Sequence, residues 1–421
     1  MSKAQSQSQS KSTATFGLLV GGGPAPGING VISSATLAAR KNGSRVIGLL
    51  QGFEWLMQGD INHVVELDAD SVSRIHEQGG SILRTSRANP TRDPANLARV
   101  VESLKKLGID HLISIGGDDT CFSAKTVAEA AGDALRVVHV PKTIDNDLPL
   151  PAGVPTFGFE TARATAAQIL TTLFEDARTS KRWFIVTLMG RNAGHLALGA
   201  AHSAGSTLAI VAEEIAKEVG DEKIGLDRLA RMVEGSMLKS TALGHPHGVI
   251  VLAEGLGECL DPRELPDLPL DEHGHLRLAE LPLGHLIRER VREGLEAHGI
   301  SATIIVKDIG YELRCVAPNA FDQDYTRDLG AGAVATLLSG TSDAMITRQN
   351  QSIVALPFSE ILDPKTGKTR IRMLDIETQS YANSKALQTR LEPEDLEAGE
   401  MTEKLDAVSN LGLDALRKRF A

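Results

Sequence analysis

Short apolar runs alternate along this chain with longer segments whose apolar positions recur every three or four residues. The short runs read as buried strands: Phe16 to Val20, Arg45 to Leu49, His111 to Ile115, Arg136 to Val140, Trp183 to Leu188, Thr207 to Val211, Val249 to Ala253 and Thr303 to Val306. The longer segments read as helices: Gly30 to Lys41, ended by Asn42-Gly43; Ala95 to Lys106, ended by Gly108; Phe122 to Ala130; Thr161 to Ala177; and Ala193 to Ser203. In the second of these, Leu97, Val100, Val101 and Leu104 share one face. Strands spaced by helices predict right-handed crossovers and mostly parallel sheets, an α/β fold. The polar residues before Thr15 predict a disordered tail over residues 1–14. The segment Glu258 to Leu283, rich in Pro, Asp and His, reads as a surface insertion; His273 and His275 within it have no third ligand at a fixed spacing, so a solvated loop is expected rather than a metal site.

The polar, glycine-rich stretches follow the strands. Gly21-Gly22-Gly23 follows the first. Gly116-Gly117-Asp118-Asp119-Thr120 follows His111 to Ile115, and Pro141-Lys142-Thr143-Ile144-Asp145-Asn146-Asp147 follows Arg136 to Val140. Met189-Gly190-Arg191 follows Trp183 to Leu188, and Glu254-Gly255 follows Val249 to Ala253. Open α/β sheets bind ligands beyond the carboxyl ends of their strands, so scattered motifs of this kind can converge on one site.

Length and composition narrow the class. A chain of 421 residues is long for one domain, and 42% hydrophobic with 23% charged residues is ordinary for a soluble globular protein. The net charge of -10 provides no basic field for nucleic acid or an anionic membrane. Cys121, Cys259 and Cys315 are few and far apart, which suggests neither a disulfide framework nor a zinc site. The N-terminus lacks the apolar core of a signal peptide, and no run approaches the ~18 apolar residues of a membrane span. A cytoplasmic protein is expected.

The motifs carry phosphate chemistry. Closely placed glycines let backbone N–H groups approach an anion at a helix N-terminus, although a tight turn would use the same residues. In GGDDT a carboxylate follows the glycine pair, so Asp118 is suited to hold Mg²⁺ against a phosphate; a helix N-cap is the alternative. PKTIDND sets Lys142, Thr143, Asp145 and Asp147 in one short turn, the ingredients of a general base with a neighbouring cation and an orienting hydroxyl. Arg191 suits bidentate phosphate binding. Arg84 and Arg87 add cations after Gly79-Gly80. Lys307, Tyr311 and Arg314 cluster after the Thr303 strand, with Tyr311 and Arg314 side by side if that stretch is helical. His195 is given no role.

The ordered set GGGPAPGIN, GGDDT, PKTIDND, MGRNAGHLA, AEG and YELR, from about Phe16 to Arg314, resembles the phosphofructokinases, in particular their pyrophosphate-dependent branch. The resemblance implies two Rossmann-like domains: residues 15–158 plus about 315–385 for the phosphoryl donor, and 159–314 plus about 386–421 for the sugar phosphate. It implies that Gly23 contacts the donor, Asp118 binds Mg²⁺, Asp145 takes the proton of the sugar 1-hydroxyl and Thr143 helps to hold the substrate. Met189, Gly190, Arg191, Glu254, Lys307, Tyr311 and Arg314 would grip the sugar phosphate, and Arg87 would stabilise the transferring group. Arg182 would reach a neighbouring subunit's site, implying a homodimer or homotetramer. ATP-using relatives usually carry glycine where Asp119 and Lys142 stand and histidine where Tyr311 stands. Pro24 stands where many relatives have Asp. The activity implied is reversible phosphorylation of fructose 6-phosphate by pyrophosphate; the alternatives are an ATP-dependent kinase or a non-catalytic regulatory subunit of the same fold.

Overall fold

The computed structural model describes residues 14–266, 277–363, 365 and 369–420. The expected tail, apart from Ala14, and both His273 and His275 lie outside the described residues. The chain forms two compact units, the first running to Thr143 and adding Leu148–Gly158 and Cys315–Arg370, the second comprising Ile144–Asp147, Phe159–Arg314 and the chain from Ile371 onward. The Ile144–Asp147 turn therefore groups with the second unit although the residues on either side of it belong to the first. The last crossing lies at Arg370–Ile371 rather than near 385.

In chain order the first unit begins with β1 (Thr15–Val20), α1 (Ile28–Lys41), β2 (Arg45–Leu49), β3 (Val64–Glu66), α2 (Pro94–Lys106), β4 (His111–Gly116), α3 (Asp118–Ala131), β5 (Arg136–Thr143) and β6 (Phe157–Gly158). The second follows with α4 (Phe159–Ser180), β7 (Trp183–Leu188), α5 (His195–Ala204), β8 (Leu208–Ile210), α6 (Ala212–Val219), α7 (Leu226–Ala242), β9 (Gly248–Ala253), α8 (Leu256–Cys259), α9 (Leu283–Ala297) and β10 (Ile304–Ile309). The chain returns to the first unit for α10 (Ala320–Leu338), β11 (Ala344–Gln349), β12 (Ser352–Pro357) and α11 (Phe358–Ile361), and closes in the second with α12 (Gln379–Ala386), α13 (Glu400–Val408) and α14 (Leu413–Phe420).

The first sheet has the order β12-β11-β5-β4-β1-β2-β3, with β6 paired beside the end of β5. It is parallel except at its two edges, where β11–β12 and β2–β3 are antiparallel. Its strands alternate side chains between two covered faces. Phe16, Leu18 and Val20 of β1 join Ile28, Val31 and Ile32 of α1 and Tyr325 and Leu329 of α10 in one core. Leu19 points into the other, with Val100 and Leu104 of α2 and Val127 of α3. Helices α1 and α10 meet closely because Gly30 faces Thr326 and Gly330 faces Ser34; a Cβ on Gly330 would lie 2.5 Å from the Val31 carbonyl oxygen. The second sheet, β10-β7-β9-β8, is wholly parallel. Trp183, Ile185, Ile250 and Leu252 pack with Leu229 and Val233 of α7 and Ile287 and Val291 of α9.

Several boundaries differ from the sequence reading in ways that bear on chemistry. Strand β5 runs on to Thr143, so Pro141, Lys142 and Thr143 lie within the strand instead of following it. Helix α3 begins at Asp118, four residues earlier than expected, which makes both aspartates its first helical residues. Lys307 lies inside β10, which continues to Ile309. Leu256–Cys259, partly within the expected insertion, is a short helix. The first three shifts share a cause: polar residues at strand ends and helix starts break the apolar period without ending the element.

Candidate active site

In the first unit, β1, β4 and β5 are neighbours, with Val20 paired to Ile115 and Gly116 to Pro141. This register brings Gly21–Gly23, Gly117–Asp119 and Lys142 to one carboxyl edge. Not every glycine there serves a ligand. A Cβ on Gly116 would fall 2.3 Å from Thr120 Cβ, and one on Gly21 would fall 2.5 Å from Thr120 Oγ1. Both glycines therefore make room for the buried Thr120. Gly22 takes φ +78°, a left-handed conformation. Gly117 is different: a Cβ would meet nothing nearer than the Lys142 carbonyl oxygen at 3.7 Å, and the residue is the N-cap of α3, with no side chain capping the helix. The N–H groups of the first helical turn, which α3 cannot satisfy internally, face this edge.

Lys142 is only 4% exposed. Its ammonium donates to the Gly23 carbonyl. Thr85 Oγ donates to the Gly22 carbonyl at 2.5 Å, and Thr156 Oγ to that of Thr143 at 2.9 Å. The Thr369 hydroxyl reaches the Asp118 carbonyl at 3.4 Å. His139, fully buried in β5, donates from Nε2 to the Gly116 carbonyl at 2.9 Å, while Ser114 Oγ lies 2.8 Å from its Nδ1. Burial holds the imidazole neutral, with its pKa down to about 3; the Gly116 bond opposes this and the Lys142 charge reinforces it. With Nε2–H committed to a carbonyl, Nδ1 accepts from Ser114. Asp118, Asp119, Arg84 and Arg87 are exposed.

In the second unit, β7 lies between β9 and β10, with Leu188 paired to both Ala253 and Ile309. Met189–Arg191, Glu254 and Gly310–Arg314 thus leave the sheet side by side. Glu254 accepts from Gly190 N–H at 3.0 Å, and Glu312 from Gly310 N–H at 2.9 Å. Burial raises the Glu254 carboxyl above its ordinary value, against the opposing pull of the Gly190 N–H and the Arg191 and Arg314 charges. Met189 packs on Gly310, where a Cβ would lie 2.7 Å from Met189 Cε. Tyr311–Leu313 form a single 3₁₀ turn, and the Arg314 guanidinium sits 4.8 Å from the Tyr311 ring centroid. Tyr311 is 69% exposed, presenting its ring and hydroxyl to solvent. Asp145 is half-buried in the turn Ile144–Asp147, where Asn146 has φ +59° and Asn192 donates to Asp147 at 3.2 Å.

One expected residue stands apart. Arg182 precedes β7, at the opposite end of that six-residue strand from Met189, a separation of roughly 20 Å at the rise of a strand. Within this chain it lies 3.6 Å from Asp176 and does not join the Met189–Arg191 group. Sequence reasoning missed His139, Asn192, Glu213 and Arg372, all of which hold the site's loops. His139 in an apolar strand carried a weak signal, since a buried imidazole needs two partners; Asn192 lies inside the MGRNAGHLA motif beside Arg191, whereas Glu213 and Arg372 stand alone in sequence and carried none. His195 was left without a role, yet its Nε2 bonds the Arg372 carbonyl at 3.1 Å.

Residues 15–337 match the family model described as phosphofructokinase. The chain is 48% identical over 418 residues to a pyrophosphate–fructose 6-phosphate 1-phosphotransferase of Naegleria fowleri, covering 97% of this chain and 96% of that one. It is 47% identical over 390 residues to a protein of the same name from Thermotoga maritima, covering 91% and 92%. Its fold is similar to that of the pyrophosphate-dependent phosphofructokinase of Marinobacter aquaeolei, with a TM-score of 0.67, 17% identity, and coverage of 87% of this chain and 88% of that one.

Proposed function

The chain belongs to the phosphofructokinase family, and we propose that it transfers a phosphoryl group reversibly from inorganic pyrophosphate to the 1-hydroxyl of fructose 6-phosphate. The observation that carries this reading is the buried Lys142 ammonium on the Gly23 carbonyl, with Asp119 exposed at the start of α3. A lysine in that position lies against the glycine loop, where it can neutralise a small anion. A carboxylate in place of glycine excludes a donor that extends beyond two phosphates, by volume and by repulsion. The two relatives of near-half identity carry pyrophosphate in their names.

In this mechanism the first unit binds the donor and the second the sugar phosphate. Gly23 and the N–H groups of the first turn of α3 cradle pyrophosphate. Asp145 accepts the proton of the 1-hydroxyl as that oxygen attacks phosphorus, and Thr143 orients the acceptor. Lys142 and Arg87 neutralise charge on the departing phosphate and the transferring group. Met189, Gly190, Arg191, Glu254, Lys307, Tyr311 and Arg314 hold the sugar phosphate. Catalysis of this kind is positioning and electrostatics.

Asp118 fits a Mg²⁺ ion. It is an exposed carboxylate at a helix start beside the phosphate cradle, and among the described residues no group of three or more His, Cys, Asp or Glu could hold a metal by itself. One carboxylate with substrate phosphates and water is the donor set that Mg²⁺ prefers. When bound, the ion would neutralise negative charge on the phosphates. Arg182, apart from its own chain's group, is assigned to a neighbouring subunit's sugar phosphate in a homodimer or homotetramer. Mixing Asp145→Asn and Arg182→Ala parents, each inactive, restores activity in hybrid oligomers on this reading; subunit exchange without activity refutes it. A cytoplasmic location accords with three free cysteines and with the absence, among the described residues, of a helix long and apolar enough to span a membrane.

The test is a donor panel at saturating Mg²⁺. Turnover with pyrophosphate, little with ATP, and reversal with fructose 1,6-bisphosphate and orthophosphate are expected. Preference for ATP overturns the donor assignment.

A further inference from the structure

The turn that carries the general base is held by a segment remote in sequence, Ile371–Leu374. The Arg372 guanidinium donates from Nε to the Asn146 carbonyl at 3.0 Å and from Nη2 to the Asn146 side-chain oxygen. The Arg372 N–H donates to the Asp147 carbonyl at 2.7 Å. The segment is itself fixed on both sides of Arg372. His195 Nε2 bonds the Arg372 carbonyl, and Leu374 N–H donates to Glu213 Oε1 at 3.0 Å. Glu213 Oε1 also accepts from Gly194 N–H at 2.9 Å, so the same carboxylate oxygen grips the loop that follows Met189–Arg191. Burial lowers the His195 pKa, which keeps its imidazole neutral with Nε2–H available for that carbonyl.

Asn146 holds φ +59°, a left-handed conformation that is strained for a non-glycine residue and persists only where its surroundings enforce it. Asparagine tolerates it best because its short polar side chain can bond locally. Here that side chain and the residue's own carbonyl are both taken by one guanidinium. Two donors in a rigid plane fix both the peptide after Asn146 and its side chain, which a lysine ammonium cannot do in the same geometry. The residue immediately before this locked position is Asp145.

We propose that Arg372 is a positioning residue for the phosphoryl transfer: it locks Asn146 in the left-handed conformation and so sets the direction of the Asp145 carboxylate. The inference rests on the reading of Asp145 as the base. Arg372 touches neither substrate, and its contribution is to alignment, so its removal slows turnover more than it weakens binding. Misplacement of a reacting group by about 1 Å costs on the order of 10²-fold in rate.

The experiment compares the full-length wild type with Arg372→Ala and Arg372→Lys, measuring kcat, the KM for fructose 6-phosphate and the Tm of each, using whichever donor the wild type turns over. The expected result is a fall in kcat of roughly 30- to 100-fold in Arg372→Ala, with KM changed by no more than about threefold. Arg372→Lys should lie between the two. Guanidinium ion at millimolar concentration should restore part of the Arg372→Ala turnover and leave the wild type unaffected. A kcat within about twofold of wild type overturns the proposal. So does a loss shared equally by both variants, matched by a fall in Tm and unrelieved by guanidinium, because that pattern describes a merely structural arginine. The wild-type assay separately decides the functional reading: inactivity with pyrophosphate and ATP alike overturns that reading and this inference with it.

Discussion

The two sheets present their carboxyl edges in opposite chemical states. At the edge of the first, side-chain donors hold backbone carbonyls: Lys142 on Gly23, Thr85 on Gly22, His139 on Gly116 and Thr156 on Thr143. At the edge of the second, carboxylates hold backbone N–H groups: Glu254 on Gly190, Glu213 on Gly194 and Leu374, and Glu312 on Gly310. Where carbonyls are turned away and tied, the backbone offers positive ends to a ligand, and an anion can be bound with few side-chain cations. Where N–H groups are consumed by carboxylates, the edge is negative, and an anionic ligand must be met by side chains. The first edge is accordingly rich in glycine, with Lys142 tied to a carbonyl, and the second carries Arg191 and Arg314. On the proposed reading, the contrast lets an acidic chain, at -10 overall, serve two phosphorylated ligands with different local devices.

The sharpest break is at the base. Asp145→Asn keeps the shape of the turn but removes the proton acceptor, and kcat should fall by at least ~10²-fold while the KM for fructose 6-phosphate changes little. Steady-state kinetics checks this, and a near-normal kcat removes Asp145 from the role.

The second test concerns the first edge. Asp119→Gly should lower turnover with pyrophosphate and admit ATP, moving the ratio of the two kcat/KM values by about tenfold or more, the scale of removing one repulsive contact. If Asp119 only stabilises the start of α3, donor preference stays put and stability drops by roughly 1 kcal/mol or less.

The glycines of that edge divide the comparison further. Gly116→Ala drives a methyl into Thr120 and should cost about 1–3 kcal/mol in denaturant unfolding, as overpacked cores do. Gly117→Ala has room and should leave stability within about 1 kcal/mol, the loss of a glycine N-cap being small, while raising the KM for the donor. Equal stability losses at the two positions would refute the division between packing and ligand glycines.

The smallest effect belongs to the second edge. Because burial raises the Glu254 carboxyl above its ordinary pKa, folding disfavours its ionised form. That penalty is absent below the unfolded-state value of about 4.3 and complete above the folded value. Glu254→Gln should therefore raise Tm slightly at neutral pH, on the order of 2 °C, with the gain vanishing near pH 4. Thermal melts across that range check the sign; a gain that grows toward acid contradicts it.

Much of this was legible in the sequence because it is local. Strand cores such as Trp183–Leu188 are continuous apolar runs and were read to the residue. Motifs at strand ends are contiguous, so Asp118, Asp145, Gly190 and Glu254 could be named as candidates by the company they keep. The adjacency of Tyr311 and Arg314 was expected if that stretch is helical, and across its 3₁₀ turn the guanidinium lies over the ring.

What tertiary structure decided is everything that depends on partners far along the chain. Nothing near Gly21 in sequence says that its missing side chain makes room for Thr120 and not for phosphate. Arg372 stands 226 residues from Asn146, and Glu213 joins a loop and a strap that share no motif. The physical reason is common to all of these: an apolar period records which face is buried, whereas the partner of a single charge or a single glycine is chosen only when distant segments meet.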